Sequence, residues 1–334
     1  MTAPLSGLAA ATRPGLSRRL LTFPALTLHP FAALPGLLAP GDLVVVNDAA
    51  TLPASLSGTM RGLPIELRLS GQRADGAWET VAFGAGDWHV DTDRRGAPPE
   101  LVVGDHVRVG ALIAEVVEVP HPRRPVVVFD GGGDFWHALY QFGRPVQYRH
   151  LDDTLDIWDV QTAYAGPPWA VEPPSAGLGL TVALIAALRA RGVEVAALTE
   201  AAGLSATGDA ELDAALPFPE RYAVPARTWE LVERARGARV VAVGTSVVRA
   251  LETVARSGVL AGVTDLHLSA TNPVRVVTGL VTGVHAPGTS HHALLDAVLV
   301  GNNLPREGLR ALGDRAATLG LRDHEFGDGV VILG

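Results

Sequence analysis

The sequence contains no cysteine and no lysine, and all 27 of its Lys and Arg residues are arginine. The lack of cysteine excludes disulfide bonds, thiolate catalysis and cysteine-based zinc sites. The lack of lysine excludes Schiff-base chemistry and the phosphate-binding lysine of a P-loop. Any reaction of this protein must therefore use arginine, histidine, carboxylate, hydroxyl or backbone groups.

Long apolar runs and an excess of positive charge are also missing. No apolar stretch reaches the roughly 18 residues of a membrane helix, and no basic cluster precedes an apolar segment near the N-terminus. The net charge of −8 argues against broad binding to nucleic acid, although it leaves room for local arginine patches. With 48% apolar residues among 334, the composition predicts a soluble, cytoplasmic protein with a sizeable core.

The order of the apolar patterns predicts an α/β fold with an insertion. A continuous apolar run over residues 42–47 is typical of a strand buried on both faces. Residues 61–130 carry short alternating runs separated by Gly, Pro and Asp, which indicate a small antiparallel barrel or sandwich. We therefore expect an α/β domain of residues 1–60 and 150–334 that holds both termini, interrupted by a barrel domain of residues 61–149.

After residue 150, helix and strand patterns alternate to the end of the chain, which favours a largely buried sheet. The expected helices are 181–191, 225–236, 245–256, 289–300 and 305–318, and the expected strands are 193–198, 239–243, 265–268, 274–282 and 329–333.

Two similar turns are the most informative feature of this half. Gly244-Thr245-Ser246 and Gly288-Thr289-Ser290 each follow an apolar run and precede a helical pattern. A strand that turns through Gly into a hydroxyl-capped helix leaves backbone N–H groups free at the positive end of the helix dipole. Such an end can hold a carboxylate, a phosphate or the hydroxyls of a nucleoside. Together the turns predict one pocket built from two crossings of a sheet.

Charged residues near these turns allow two interpretations. Arg249 and Glu252 share one face of the first helix and form either a surface ion pair or part of the site. His285 stands where a strand should end, as a structural histidine or a proton-handling one. Asp328 follows Gly327, either in an Asx turn or as a carboxylate at the sheet edge.

Two further features concern the same pocket. Gly177 follows a Pro pair and small residues, which would let the backbone approach a ligand closely. His291 and His292 are adjacent on a predicted helix and point about 100° apart, so we expect no metal site there.

Several motifs, in the same order along the chain, resemble the S-adenosylmethionine:tRNA ribosyltransferase-isomerase family of queuosine biosynthesis. The segments that carry the resemblance are residues 19–21, 40–48, 52–54, 161–165, 174–178, 220–222, 243–252, 285–287, 289–290 and 326–328. The resemblance spans nearly the whole chain and implies the same fold, with the α/β domain binding S-adenosylmethionine.

The resemblance also implies a reaction. Family members move the ribosyl part of S-adenosylmethionine onto an aminomethyl-deazaguanine in a tRNA anticodon, so the expected partners are S-adenosylmethionine and tRNA, without a metal or a membrane. The residues expected to bind the ligand are Gly244, Thr245, Ser246, Arg249, Thr289, Ser290 and Gly177. Those expected to act in catalysis are His285, Asp328 and Glu252. We expect a monomer.

The chain departs from the family pattern at several positions. Gly179 and Leu180 replace a His-Phe pair, and Phe218-Pro219 replaces Met-His before the Glu-x-Tyr motif. Because His suits proton transfer near neutral pH, these losses leave two alternatives open. The chain could be a divergent paralogue that uses S-adenosylmethionine or a related nucleoside on a small-molecule acceptor, or a binding protein without catalysis.

Overall fold

The structure is a computed structural model that describes residues 8–15, 18–130, 134–235 and 237–334. Its strands are β1 (Ala9–Ala10), β2 (Arg19–Phe23), β3 (Leu28–Pro30), β4 (Leu43–Asn47), β5 (Ala50–Thr51), β6 (Ser55–Met60), β7 (Leu63–Gln72), β8 (Trp78–Phe83), β9 (His106–Val109), β10 (Leu112–His121), β11 (Arg124–Asp130), β12 (Pro168–Ala170), β13 (Glu194–Glu200), β14 (Glu220–Ala223), β15 (Val240–Val243), β16 (Ala261–Thr264), β17 (Gly279–Gly283), β18 (Arg322–Asp323) and β19 (Gly329–Leu333).

The helices lie mainly in the second half of the chain. They are α1 (Leu34–Leu37), α2 (Phe135–Phe142), α3 (Val182–Ala190), α4 (Ala210–Ala214), α5 (Ala226–Arg234), α6 (Thr245–Ser257), α7 (Ser290–Gly301) and α8 (Gly308–Thr318). Within the described ranges, none is long and apolar enough to cross a membrane.

A nine-stranded sheet forms the α/β part, in the order β16-β14-β13-β4-β15-β17-β19-β2-β3. Its central strands β13, β4, β15 and β17 are parallel. All five residues of β4 are buried, and they alternate between two cores: Leu43 and Val45 face one, whereas Val44 and Val46 face the other. Because β2 and β19 pair in this sheet, both ends of the chain contribute to it, which confirms the predicted α/β fold.

The inserted part is a closed barrel in the order β10-β11-β8-β7-β6-β9, with antiparallel pairs throughout. Alternate residues such as Val107 and Val109 point into its core, with Leu56, Leu67 and Phe83. This confirms the predicted antiparallel barrel. Its strand β6 begins at Ser55, before the boundary expected at residue 61.

Two expected strands differ from the observed ones. Residues 265–268 follow β16 rather than forming a strand, and the carbonyl of Leu266 accepts a hydrogen bond from Arg249. Residues 275–277 precede β17 because their N–H groups bind the Glu252 carboxylate instead of a neighbouring strand. In both places a long-range polar contact outweighs the local apolar pattern.

Candidate functional site

The carboxyl ends of the parallel strands meet at one edge of the sheet. Asn47 ends β4 and Glu200 ends β13, and the Asn47 side chain exchanges hydrogen bonds of 2.9 and 3.0 Å with the backbone of Glu200. Since β14 runs antiparallel to β13, its first residue, Glu220, lies at the same edge. In open α/β sheets, ligands bind at this edge.

The first Gly-Thr-Ser turn occupies the middle of the edge. Gly244 has a φ of +100°, which favours glycine, and its N–H donates to the carbonyl of Val281 at 2.8 Å. Helix α6 starts at Thr245, but no described side chain caps its N-terminus, so the hydroxyl cap expected there is wrong. Ser246 instead accepts a 3.4 Å hydrogen bond from Asn47. The first amides of α6 are therefore not used by a capping side chain, as an anion site requires.

Arg249 lies one turn further along α6 and is 5% exposed. Its guanidinium pairs with the carboxylate of Glu220 and not with Glu252, so the surface ion pair, one of the two interpretations of their spacing, is wrong. The other carboxylate oxygen of Glu220 accepts the N–H of Gly203 at 2.7 Å. Arg249 also donates to the carbonyls of residues 264 and 266. This network fixes one cation and one carboxylate beneath the turn.

Glu200 adds a second buried carboxylate to this network. It is fully buried, and neither carboxylate oxygen has a hydrogen-bond partner in the described part of the chain. Burial, and after it the charge of Glu220, raises the pKa of Glu200 well above its ordinary value, although Arg249 and Ser246 act in the opposite direction. Burial also raises the pKa of Glu220. Two carboxylates share one guanidinium, so the cluster can hold a cation or exchange a proton.

The second turn lies beside the first because β15 and β17 are neighbours in the sheet. His285 stacks on His291 with ring centroids 4.8 Å apart, and burial together with the charge of Arg249 lowers the pKa of His291. Thr289 caps α7 by accepting the N–H of His292 at 3.2 Å, as expected for this turn. Thr289 and Ser290 themselves face solvent.

His285 has a strongly shifted pKa. Its Nε2 lies 2.7 Å from the hydroxyl of Thr282, and burial with the charges of His291 and His292 lowers its pKa from 6.5 to about 3. The ring is therefore neutral near pH 7 and can accept a proton or a hydrogen bond only weakly.

We expect a stability change that follows this pKa. Between pH 6.5 and 3 the unfolded chain protonates His285 and the folded chain does not, so this contribution to stability is complete above pH 6.5 and is lost as the pH falls towards 3. Gln has no such titration. The free energy of unfolding of His285→Gln, minus that of the original protein, should therefore be larger at pH 4.5 than at pH 7.5 when both are measured by urea unfolding. A pH-independent difference, with exposed His137→Gln as control, would contradict this.

Glu252 occupies a different place from the one expected. Its fully buried carboxylate accepts the N–H groups of Arg275, Val276 and Val277 at 2.8 to 3.1 Å and pairs with Arg256. Its bonds to the three backbone N–H groups thus hold the segment before β17 against α6. The contacts assign it to positioning that segment, and not to orienting Arg249.

Replacing Glu252 with Gln tests this assignment. The amide would place donors against backbone donors, so we expect a loss of about 2–3 kcal/mol in the free energy of unfolding. The affinity of the folded protein for a ligand bound at the start of α6 should change little. Urea denaturation, with exposed Glu233→Gln as control, measures the effect. Lost turnover with unchanged stability would instead place Glu252 at the reacting atoms.

Asp328 is also held by its surroundings. It is 1% exposed and accepts hydrogen bonds from the backbone N–H groups of Arg19 and Arg322 at 2.8 Å, and from the Arg19 guanidinium at 2.6 Å. Burial would raise its pKa, but these bonds outweigh burial and lower it. The structure therefore places Asp328 in an ion-pair network outside the Arg249 cluster.

Gly177 lies next to the first turn. A Cβ at Gly177 would stand 2.1 Å from the hydroxyl of Tyr164, so the chain needs glycine there for packing. The adjacent Ala176 side chain would lie 3.7 Å from a Cβ built on Gly244. Segment 175–179 therefore covers the turn from one side, close to where a bound ligand would lie.

A cavity of about 280 Å³ opens between the barrel and the sheet edge. The barrel lines it with Arg73 and Trp78, and the α/β part lines it with Trp169, Glu220 and Arg221. The guanidinium of Arg221 stacks over Trp169 at 3.7 Å. Because Glu220 lines this cavity and also pairs with Arg249, it connects the cavity to helix α6.

Sequence reasoning missed Glu200 and Glu220 as site residues. A charged residue at the end of an apolar strand pattern is the signal that could have identified Glu200. Glu220 gave no local signal beyond its place in the Glu-Arg-Tyr motif, because its partner Arg249 lies on a distant helix.

Buried titratable side chains at the carboxyl edge of a largely parallel central sheet are typical of α/β proteins that bind a small polar ligand there. Residues 10–332 match the family described as "Queuosine biosynthesis protein", and the chain belongs to that family.

Two curated relatives carry the name S-adenosylmethionine:tRNA ribosyltransferase-isomerase. The protein of that name from Thermosynechococcus vestitus is 33% identical over 320 residues, which cover 91% of this chain and 85% of that protein. The one from Gloeobacter violaceus is 36% identical over 317 residues, covering 91% and 85%. The resemblance seen in the sequence motifs is therefore confirmed.

A solved structure shares the fold. The S-adenosylmethionine tRNA ribosyltransferase of Thermotoga maritima has a TM-score of 0.51 and 23% identity, over 98% of this chain and 96% of that chain. This likeness supports the arrangement of the barrel and the sheet.

Proposed function

We propose that this protein transfers the ribosyl part of S-adenosylmethionine to the 7-aminomethyl-7-deazaguanine of a tRNA and isomerises it to give epoxyqueuosine. Membership of the queuosine family and the names of its relatives support the reaction class. The observation that carries the proposal is the unpartnered carboxylate of Glu200 beside the uncapped start of α6.

This site matches the charges of S-adenosylmethionine. The free amides of Thr245 and Ser246, at the positive end of α6, suit a carboxylate or ribose hydroxyls. The sulfonium carries a positive charge, which the buried carboxylate of Glu200 would stabilise strongly at low dielectric. Arg249 pairs with Glu220 and opposes the rise that burial causes in the pKa of that carboxyl, and it leaves Glu200 without an ion-pair partner of its own.

Glu200 is also suited to start the reaction. A sulfonium acidifies the neighbouring C5′ hydrogens, so a general base can remove one and form an ylide. The raised pKa of Glu200 makes it a stronger base than an exposed carboxylate. The pKa of about 3 makes His285 a weak base, and the contacts of Asp328 occupy its oxygens.

The 280 Å³ cavity offers a place for the acceptor base. Its walls include Trp169, whose ring can stack on a flat base, and Glu220. A base in this cavity would lie on the other side of the carboxylate pair from the α6 turn. The two substrates would then meet at Glu200 and Glu220.

The remaining proposals follow from this reaction. We propose that the protein works in the cytoplasm as a monomer, and that the transfer itself uses no metal, because acid–base groups suffice for ylide formation.

Adenine release tests the proposal. We expect adenine to leave S-adenosylmethionine only when the tRNA carries 7-aminomethyl-7-deazaguanine, and a tRNA with guanine at that position serves as control. Release with a small amine and no tRNA would favour the paralogue hypothesis. Calorimetry that shows no binding of S-adenosylmethionine at millimolar concentration would leave only the binding-protein hypothesis for a different ligand.

A further inference from the structure

A second cluster of chemically active side chains lies outside the proposed site. His150, His324 and Glu325 each offer a ligand atom, and these atoms lie within 4.8 Å of one another. In the described ranges this is the one group of three such residues that converges in this way. From it we infer a site for a divalent transition-metal ion of the zinc class, with two histidine nitrogens and one carboxylate oxygen as ligands.

The short distance between buried atoms of His150 and Glu325 carries this inference. The Nε2 atom of His150 and an Oε2 atom of Glu325 are 3.2 Å apart, yet both are buried and neither makes a hydrogen bond. Two ligands bound to one zinc ion at 2.0–2.2 Å in a tetrahedron stand about 3.3–3.6 Å apart. The separation is therefore close to that of two ligands on one ion.

The surrounding fold holds both ligands in place. Leu151 and Phe326, the neighbours of His150 and Glu325, pack in one buried apolar cluster. This cluster joins segment 148–160, which follows the barrel, to the segment before β19. Because the two side chains stand on packed backbone, their approach does not depend on a flexible loop tip.

His324 supplies the third ligand from a special backbone conformation. Its φ of +63° is uncommon for a residue with a side chain and turns its ring over that of His150, with centroids 4.1 Å apart. The side chain is 47% exposed, so a rotation of its side-chain bonds out of this stack can point one nitrogen at the ion. Asp323 lies behind it, with Oδ1 3.7 Å from its Nε2, where a carboxylate commonly orients a metal-binding histidine.

The site differs from the one excluded by sequence. Spacing on α7 argued against a metal at His291 and His292, and the absence of cysteine removed thiolate sites. Neither argument applies to residues that the fold brings together from positions 150 and 324. Two histidines and one carboxylate leave a fourth position open, and His324 and Glu325 line a narrow crevice through which an ion or water can reach it.

Metal titration of the full-length protein tests the site. After treatment with a chelator, Zn²⁺ should bind with one-to-one stoichiometry by calorimetry and raise Tm, and Co²⁺ should give the absorption bands of a tetrahedral complex. Glu325→Gln and His324→Gln should each weaken binding at least tenfold, and Asp323→Asn should weaken it less. His324 is half exposed, so its variant is expected to fold.

Two control variants make the result decisive. His89→Gln alters an exposed His–Asp pair, and His292→Gln alters the other histidine cluster, and both should keep full affinity. The inference is overturned if no stoichiometric Zn²⁺ binding occurs, or if binding survives His324→Gln and Glu325→Gln unchanged. Because the readout is metal binding, it is independent of whether the protein releases adenine.

Discussion

Replacing Arg249 with Met is expected to lower the free energy of unfolding by about 3–5 kcal/mol at pH 8. The substitution keeps most of the side-chain volume but leaves Glu220 and Glu200 buried without their cation. An ionised carboxylate at such a position costs several kcal/mol because it has lost water and gained no partner.

The loss should depend on pH in a defined direction. Without Arg249 the pKa of both carboxyls rises further, so the folded variant binds protons that the unfolded chain, with an ordinary pKa of 4.5, has released. The variant is therefore expected to be least destabilised near pH 5.5 and most destabilised at pH 8. Urea denaturation at the two values measures this.

Two further variants show whether the loss of stability comes from the buried carboxylates. The double variant Arg249→Met/Glu220→Gln removes the cation and one charge together, so it should recover part of the loss. Arg227→Met breaks an exposed pair with Glu230 and should change stability by less than about 0.5 kcal/mol. An equal loss for Arg249→Met at both pH values would show that its carbonyl contacts, and not the carboxylates, dominate.

The local elements were largely predictable from the sequence. The buried strand at residues 42–47 appears as β4, and the helix expected at 181–191 appears as α3. Periodicity identifies such elements because burial repeats every second or every third to fourth residue. The prediction of a strand at 265–268 was wrong because Arg249, 17 residues before Leu266, binds that segment, and a pattern of neighbouring residues does not show this contact.

The candidate site was predictable only in part. The glycines and hydroxyls of both turns stand out in sequence, and the pairing of β15 with β17 brings the turns together. The partners of the charged residues do not stand out. Arg249 and Glu252 share a helix face, yet one reaches β14 and the other reaches the segment before β17. Their roles depend on which strands flank α6, and local spacing contains no information about that.

Replacing Glu200 with Gln is expected to slow adenine release at least about 100-fold, the usual size of a general-base contribution. Gln keeps the shape of the side chain but removes the proton acceptor and the charge that would face the sulfonium. Folding should be unaffected or slightly improved at pH 8, because Gln cannot carry the buried charge that an ionised Glu200 would. Single-turnover release from S-adenosylmethionine with the modified tRNA measures the rate, and exposed Glu230→Gln is the control.

The pH profile separates a base from a purely electrostatic role. If Glu200 removes the proton, the original enzyme should gain activity with rising pH, as this carboxyl loses its proton at a pH above its ordinary pKa of 4.5. Glu200→Gln should lack that limb of the profile, while residual turnover continues. A rate within threefold of the original, with the limb intact, would assign the base elsewhere. Glu220 would then be the next candidate, because it lies between the turn and the 280 Å³ cavity and its pKa is also raised.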